Sequence, residues 1–256
     1  MDLEQEIKIK FAAKKHLVKK PARGCLKHDY LVPGGPYSEQ WDWDAFFIGL
    51  NLMSELSTEA IYLKNWCLNY FDNMRPDGFT PGLLTPKGMD VRLNQMKPLL
   101  AQGAYHASKF LNDFSWIKPH WVKLKKITAY RQQQHLDKKT GLIAWHNGME
   151  SGADNNVCLL YYPKGTSLST DLNAFLYLEY KALSAIAKKL DFKSDAKKYQ
   201  KMAKDLAKAM MKYMWNDKDK VFYNIDVCTG RQIKRVSHAN VIPLWAGLLP
   251  RRRVGR

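Results

Sequence analysis

Hydrophobic residues recur at helical spacing in the second half of the chain. One apolar stripe runs through residues 171–190 and another through residues 199–214, each repeating at intervals of three and four positions. The stripes are formed by Leu172, Phe175, Leu176, Leu183, Ile186 and Leu190, and by Tyr199, Met202, Ala203, Leu206, Met210 and Met214. A short break at residues 191–193 separates them, so the pattern predicts an α-hairpin.

Polar residues at the ends of the stripes indicate where these helices begin. Ser169 or Thr170 is a plausible N-cap of the first helix, and Ser194 is one for the second. Asp171 is also expected to cap its helix. The caps and the stripes together predict one helix from about residue 171 to residue 190 and a second that begins near Ser194.

Two earlier helix pairs are predicted in the same way. The first pairs residues 41–56 with 58–73, and the second pairs residues 95–111 with 119–136. The connection over residues 72–86, which holds Pro-Asp-Gly and Pro-Gly, is expected to be a long loop at one rim. Repeated helical pairs of this kind predict an all-α fold.

Composition is that of a folded protein that works in solution. Hydrophobic residues make up 46% and charged residues 25% of the chain, which argues against disorder. The charged N-terminus lacks an apolar run of signal-peptide length, and no segment has the run of uncharged residues needed to span a bilayer. Cys25, Cys67, Cys158 and Cys228 are widely spaced, which disfavours a zinc site. We therefore predict a cytoplasmic protein with no metal, no cofactor and no membrane partner.

The formal net charge of +17 raises the question of nucleic-acid binding. Lysines between residues 188 and 212 fall at helical spacing, which is typical of the solvated face of an amphipathic helix. Because no nucleic-acid-binding motif accompanies them, no specific nucleic-acid partner is expected. The charge instead favours anionic substrates.

The segment over residues 33–47, PGGPYSEQWDWDAFF, combines aromatic rings with carboxylates behind a turn. Tyr37, Trp41 and Trp43 offer flat surfaces for the apolar faces of a sugar, and Asp44 can accept hydrogen bonds from its hydroxyls. The alternative is an amphipathic helix that buries its rings and solvates its acids. The segment alone does not separate the two interpretations.

A second polar segment, GMESGADNN at residues 148–156, has two acids four positions apart. Small residues separate Glu150 from Asp154 and leave the backbone free to bend, and Asn155 adds a neutral donor and acceptor. An acid among neutral partners and aromatic walls tends to have a raised pKa, which suits a proton donor. The alternative is a surface loop in which Asp154 caps a turn.

Taken together, the motifs resemble the inverting glycosidases built on an (α/α)6 toroid of helical hairpins. Besides the two segments above, the resemblance rests on TDLNAFLY at residues 170–177, QMKPLLA at 95–101 and SHANVIPLWAGL at 237–248. Two branches fit, the trehalases and the mannosylglycerate/glucosylglycerate hydrolase-like enzymes. The resemblance implies a single catalytic domain over residues 1–250, followed by a basic tail at 251–256.

The resemblance also implies roles for individual residues. Asp154 matches the general acid, and Asn155 matches the residue that follows it in the hydrolase-like branch. Glu150 is assigned to substrate binding, although an orienting role within its loop is the more natural one. Trp43 and Asp44 match the pair that forms the bottom of the sugar pocket.

Four further candidates for substrate contact complete the predicted site. Tyr37 and Trp41 are expected to stack on the sugar, and Gln95 and Lys97 to reach its polar groups. The implied substrate is a small carbohydrate, such as glucosylglycerate or mannosylglycerate.

Departures from the family pattern narrow the choice of branch. Trehalases have an arginine where this chain has Pro36, and their Phe-Ser-Ser-Arg-Trp run is replaced here by residues 155–159. The hydrolase-like branch is therefore favoured over a trehalase-like α-glucosidase.

The general base of this group is a glutamate late in the toroid, and this chain stops soon after PLWAGL. We expect an incomplete toroid that lacks the base, hydrolyses poorly on its own and self-associates through an exposed apolar face near residues 242–249 and the N-terminal helix. A non-catalytic sugar-binding remnant is the alternative from another functional class.

Overall fold

A computed structural model describes residues 2–89, 94–153 and 156–249 of the chain. The backbone divides into two compact units. Unit 1 comprises Met1–Met96 and Gly103–His120, and unit 2 comprises Lys97–Gln102 and Trp121–Arg256. The prediction of a single domain over residues 1–250 stays a prediction.

Unit 1 contains short strands and helical pairs. Its first helices are α1 (Leu3–Lys14), α2 (Asp42–Glu55) and α3 (Ala60–Asp72). The strands are β1 (Lys19–Lys20), β2 (Tyr30–Leu31), β3 (Gln40–Trp41), β4 (Leu83–Thr85) and β5 (Gly88–Met89). β1 and β2 are antiparallel, and β3, β4 and β5 form an antiparallel sheet in that order. The predicted pairing of residues 41–56 with 58–73 is confirmed by α2 and α3.

Helix α4 (Leu100–Phe110) continues from unit 2 into unit 1 and begins later than the sequence predicts. A helical start at residue 95 was expected, but Gln95 pairs with Pro81 in a β-bridge and the Met96 N–H donates to the Thr80 carbonyl at 2.8 Å. The reason is Pro98, because the residue before a proline is driven out of the helical region. This part of the second predicted pair is wrong.

Within unit 1, α4 approaches α3 closely. A Cβ atom on Gly103 would lie 2.7 Å from the ring of Trp66, which is itself fully buried. Only glycine therefore allows this packing distance, and a side chain here would have to displace a core tryptophan.

Unit 2 is built around one long buried helix. Its helices are α5 (Trp121–His135), α6 (Val157–Leu160), α7 (Thr170–Lys189), α8 (Lys193–Ala209) and α9 (Ile242–Trp245). The strands are β6 (Ser167–Leu168), β7 (Trp215–Asn216), β8 (Val221–Phe222), β9 (Asn224–Asp226) and β10 (Gln232–Ile233). β9 lies between β10 and β6, and β7 pairs with β8, all antiparallel.

The predicted hairpin of residues 171–190 and 199–214 is confirmed by α7 and α8. Of the 20 residues of α7, 14 are buried, whereas α8 buries only one stripe and exposes its lysines. A π-helical turn at Met210–Met214 extends α8. An inner helix with burial on most sides and an outer amphipathic helix are the expected forms of such a pair.

The caps of this hairpin differ from the prediction. Ser169 is the N-cap of α7 by position but makes no side-chain capping bond, and α8 begins at Lys193 rather than after Ser194. Asp171 lies in the first turn of α7, where its carboxylate accepts from the Leu172 N–H and from the Trp145 indole at 3.1 Å. A buried tertiary contact therefore replaces the predicted capping role of Asp171.

Several apolar side chains are exposed where self-association was predicted. Leu3, Ile7 and Ile9 project from α1, and Leu244 and Trp245 from α9, each at least 43% exposed. Exposed apolar groups of this kind favour association. Self-association stays a prediction. In the described ranges, the helices are too short or too polar to cross a membrane.

Candidate functional site

In unit 1, the predicted sugar-binding aromatics lie just before and within the start of α2. Tyr37 is exposed, and its ring meets the half-buried Trp41 edge-on with centroids 6.3 Å apart. Strand β3 carries Trp41 and leads directly into α2. This placement leaves the Tyr37 ring exposed to solvent, and its stacking on a sugar stays a prediction.

The first turn of α2 concentrates acidic groups at its positive end. Asp42 is buried, its N–H donates to the Gly82 carbonyl at 2.9 Å, and its carboxylate accepts from the Trp43 N–H at 2.7 Å. Trp43 and Asp44 are half-buried beside it. A helix N-terminus favours negative charge, which is compatible with the predicted role of Asp44 as an acceptor for hydroxyl groups; that role stays a prediction.

Buried Tyr70 lies within electrostatic range of both carboxylates. Burial raises the pKa of Tyr70 well above its usual value, and the charges of Asp42 and Asp44 raise it further. Its hydroxyl donates to the Gly82 carbonyl at 3.4 Å. The phenol therefore remains protonated and helps to fix the loop that meets the start of α2.

The two remaining polar candidates before α4 are both buried. Gln95 in unit 1 is 3% exposed, and Lys97 in unit 2 is 4% exposed. The ammonium of Lys97 is one of the charges that lower the pKa of Asp171, against the stronger upward effect of burial. Such depth restricts access, and direct contact of either side chain with a substrate stays a prediction.

In unit 2, Glu150 is enclosed by protein partners. One carboxylate oxygen accepts from Nη2 of Arg131 at 3.1 Å and the other from the His146 N–H at 2.7 Å, with both ion-pair side chains 2% exposed. The Glu150 N–H donates to Oδ1 of Asn147 at 2.9 Å. These contacts favour the orienting role of Glu150 over direct substrate binding.

The predicted acid Asp154 and its neighbour Asn155 lie outside the described residues. The residues on both sides form hydrogen bonds. Gly152 adopts a left-handed conformation with φ of 74°, which suits a residue without a Cβ. The Asn156 N–H donates to the Ala153 carbonyl at 3.1 Å, and the Asn156 side chain caps α6 by accepting from the Cys158 N–H. The segment is therefore anchored before and after the predicted acid.

Sequence reasoning missed Arg131, the partner of Glu150. Its guanidinium also lies over the Trp145 ring, 5.3 Å from the centroid. A signal for it exists in the sequence, because Leu124, Ile127 and Thr128 share its buried helical stripe on α5. A cation on an apolar stripe predicts a buried acidic partner.

His135 lies close enough to Glu150 and Arg131 for their charges to affect its pKa. Burial lowers its pKa to about 4, the charge of Glu150 opposes the shift, and Arg131 and His146 add to it. Its ring and that of His146 are 5.4 Å apart. Near neutral pH His135 is therefore uncharged, which leaves Arg131 as the cation that neutralises Glu150.

A surface cleft of about 170 Å³ borders the Glu150 loop within unit 2. Trp145, His146, Gly148, Tyr162 and Lys164 are among its lining residues. Apolar and aromatic walls with a few polar groups are the usual composition of a small-molecule site. Within the described ranges, acids, histidines and cysteines form no cluster of three suited to a metal ion.

The segment that carries Lys97 is fixed by a second carboxylate that the sequence did not reveal. Glu179, from the buried helix α7, accepts from the Ala101 N–H at 2.7 Å and the Gln102 N–H at 3.1 Å, and so caps α4. The Gln102 side chain donates to the carbonyls of Pro98 and Phe175. A tertiary N-cap of this kind ties the Lys97–Gln102 segment to α7.

The Glu179 cap gives a testable dependence of stability on pH. Burial raises its pKa from 4.5 to about 7, although the two backbone donors oppose the shift. Between these pH values the folded state holds a proton that the unfolded state has lost, so stability falls as the pH rises through that window. The shift corresponds to a loss of roughly 3 kcal/mol, complete above pH 7.

Glu179→Gln should remove this dependence because glutamine does not titrate. Urea denaturation at pH 5 and pH 8 should show the variant gaining stability relative to the unaltered protein as the pH rises. Glu4→Gln, at an exposed site on α1, is the control and should not alter the pH profile. Parallel profiles for Glu179→Gln and the unaltered protein would contradict the prediction.

Comparison with solved structures places the fold among the (α/α)6 glycosidases. The mannosylglycerate hydrolase of Thermus thermophilus in complex with glucose superposes with a TM-score of 0.72 at 18% identity, over 95% of this chain and 73% of that one. The neutral trehalase of Saccharomyces cerevisiae superposes with a TM-score of 0.70 at 18% identity, over 88% of this chain and 53% of that one. The predicted fold class is confirmed.

The family follows from a match that covers most of the chain. Residues 37–256 match the mannosylglycerate hydrolase MGH1-like glycoside hydrolase domain, and the chain belongs to that family. Human trehalase is 22% identical over 272 residues, and rabbit trehalase is 22% identical over 288 residues. The alignments cover 86% and 91% of this chain but 46% and 49% of the trehalases, so the chain spans about half the length of these curated relatives.

These similarities confirm the family resemblance read from the motifs, including its weaker trehalase component. They do not test the roles assigned to individual residues. The roles of Asp154, Tyr37, Trp41, Trp43, Asp44, Gln95, Lys97, Glu150 and Asn155 stay predictions.

Proposed function

We propose that this chain belongs to an inverting glycoside hydrolase that cleaves the α-glycosidic bond of a small glycoside such as glucosylglycerate or mannosylglycerate. The observation that carries the proposal is the buried pair of Arg131 and Glu150, which fixes the loop leading to Asp154. Family membership supplies the reaction class. A carboxyl group on an anchored loop meets the positional demand of general acid catalysis.

In this mechanism Asp154 protonates the glycosidic oxygen as the bond to the anomeric carbon breaks. A second carboxylate must activate water on the opposite face of the sugar, about 6.5–9.5 Å from the acid in inverting enzymes. We assign no residue of this chain as that base. Trp43 and Asp44 would hold the sugar, and Tyr37 and Trp41 would stack on it.

A trehalase-like α-glucosidase is the second candidate. It is favoured by the human and rabbit relatives, both of which are trehalases. The replacement of the trehalase arginine by Pro36 speaks against it. The two candidates share one reaction and differ in the aglycone and, for mannosylglycerate, in the glycone as well.

The proposed function is tested by product analysis. The protein is incubated with glucosylglycerate, mannosylglycerate and trehalose in parallel, and the anomer released first is identified by NMR. We expect slow release of a β-sugar from one of the glycerate glycosides. Release of an α-sugar would exclude inversion, and ligand-induced stabilisation with no turnover of any substrate would identify a sugar-binding remnant.

A further inference from the structure

Two polar side chains in the first turns of α7 reach the segment that precedes the Glu150 loop. The side chain of Asn173 donates to the Ile143 carbonyl at 2.8 Å and accepts from the Ile143 N–H at 2.9 Å. The carboxylate of Asp171 accepts from the Trp145 indole at 3.1 Å. Helix α7 therefore fixes this segment at two points, one on its backbone and one on a side chain.

The Trp145 ring connects Asp171 with the ion pair of Arg131 and Glu150. Asp171 binds the indole N–H at one edge of the ring, and the guanidinium of Arg131 lies over the ring, 5.3 Å from the centroid. The Trp145 side chain is 1% exposed, so its neighbours leave little room for another orientation. The hydrogen bond to Asp171 thus sets the surface on which the guanidinium rests.

The ion pair continues these contacts toward the predicted acid. Nη2 of Arg131 donates to one carboxylate oxygen of Glu150 at 3.1 Å, and the other accepts from the His146 N–H at 2.7 Å. After Glu150, the Gly152 N–H donates to the carbonyl three positions earlier at 3.1 Å. A displaced indole would disturb this series of contacts, which ends just before Asp154.

The chemistry of Asp171 is costly for a contact that only holds an indole. Its carboxylate is 2% exposed and forms no ion pair with any residue that the structure describes. Burial raises its pKa, and hydrogen bonds from the Leu172 N–H and the Trp145 indole, with the charges of His238 and Lys97, oppose the shift only in part. Because perturbed buried acids are concentrated at functional sites, this contact is a candidate for a role in the reaction.

We propose that Asp171 is a positioning residue for the reaction. Through the Trp145 indole it holds Arg131 and Glu150, and with them the loop that leads to Asp154. This inference rests on the proposed function, and it gives Asp171 no contact with the substrate and no share in proton transfer. A displacement of about 1 Å at a reacting group can lower the rate on the order of 10²-fold, so the loss should appear in kcat rather than in KM.

Kinetics on two substrates separate positioning of the acid from other losses. Asp171→Ala should lower kcat for an unactivated α-glycoside by about 10–100-fold with little change in KM. A glycosyl fluoride needs less acid assistance and should lose under about threefold. Asp171→Asn keeps an oxygen that can accept from the indole, so it should restore most of the rate. Equal losses on both substrates would overturn the proposal.

Two tryptophan variants test whether the effect passes through the indole. Trp145→Phe keeps a ring beneath Arg131 but removes the donor, so it should reproduce the loss seen in Asp171→Ala, and the double variant should be no slower than the slower single variant. Trp121→Phe is the matched control, because the Trp121 indole donates to the Asp195 carboxylate at 2.8 Å and lies at the other end of α5 from Arg131. It should leave both rates unaltered. Additive losses at Asp171 and Trp145 would overturn the proposed route.

Amide hydrogen exchange tests the same link without any turnover. The N–H groups of Glu150 and Gly152 donate within the loop at 2.9 Å and 3.1 Å. In Asp171→Ala and in Trp145→Phe both amides should exchange about fivefold faster or more, while the amides of α8 keep their rates. Unchanged exchange at Glu150 and Gly152, or equal acceleration in α8, would overturn the proposal. If the unaltered protein turns over none of the substrates, the proposed function fails, and the exchange rates still decide whether Asp171 holds the loop.

Discussion

Replacing Asp154 by asparagine should lower the rate of hydrolysis of an unactivated α-glycoside by about 10²–10⁴-fold. Asparagine keeps the size of the side chain but has no proton to give to the leaving oxygen. The loss should be much smaller for a glycosyl fluoride, because fluoride leaves without a full proton transfer. The measurement is kcat/KM for both substrate types in the variant and the unaltered protein.

Two controls make this result specific to general acid catalysis. Asp191→Asn makes the same chemical change at an exposed turn residue and should leave both rates unaltered. Azide, an anionic nucleophile that needs no deprotonation, should accelerate the unaltered chain if a general base is lacking. It should not rescue Asp154→Asn on an unactivated glycoside. An equal loss on glycoside and fluoride would assign Asp154 to binding rather than proton transfer.

Robust turnover by the unaltered protein that Asp154→Asn abolishes would mean that the general base has been misplaced and lies within this chain. Glu39, Asp42 and Asp171 would then be the carboxyl groups to examine. Asp171 is the most interesting of these, because burial raises its pKa despite hydrogen bonds from the Leu172 N–H and the Trp145 indole. Each substitution would be assayed on the same pair of substrates.

The spacing of hydrophobic residues predicted the helical pairs because each helix buries one side, and that side is set by residues close together in the sequence. The stripe of α7 and the lysine-covered face of α8 both follow from which side of a helix meets water. Even so, a single proline changed one helix boundary: because of Pro98, α4 begins at Leu100. The family motifs added the fold class, which periodicity alone does not specify.

The residues that fix the candidate loops were not predictable in the same way. Glu179 and Arg131 each act on a partner distant in sequence, and only the three-dimensional packing brings the pairs together. The motif segment identified Glu150 but gave no cation for it. The available signal was the position of Arg131 on an apolar stripe of α5. Reading that signal means treating a charged residue as part of the core.

Arg131→Met should destabilise the protein by about 3–5 kcal/mol. The substitution keeps an unbranched side chain over Trp145 but leaves the Glu150 carboxylate buried at 2% exposure without its cation. Urea denaturation near neutral pH measures the loss. Arg75→Met is the matched control, because its partner Asp77 is 42% exposed and water solvates that carboxylate when the cation is removed, so the loss of stability should be much smaller.

The double variant Arg131→Met with Glu150→Gln separates two free energies of unfolding. One is the destabilisation caused by an unpaired buried charge, and the other is the net stabilisation that the ion pair contributes. Glutamine can still accept from the His146 N–H and carries no charge, so the double variant should be more stable than Arg131→Met alone. Its activity should nevertheless stay low, because the loop before Asp154 has lost its ionic anchor. Full activity in the double variant, or an Arg131→Met protein within about 1 kcal/mol of the unaltered one, would remove Arg131 as the residue that positions the acid.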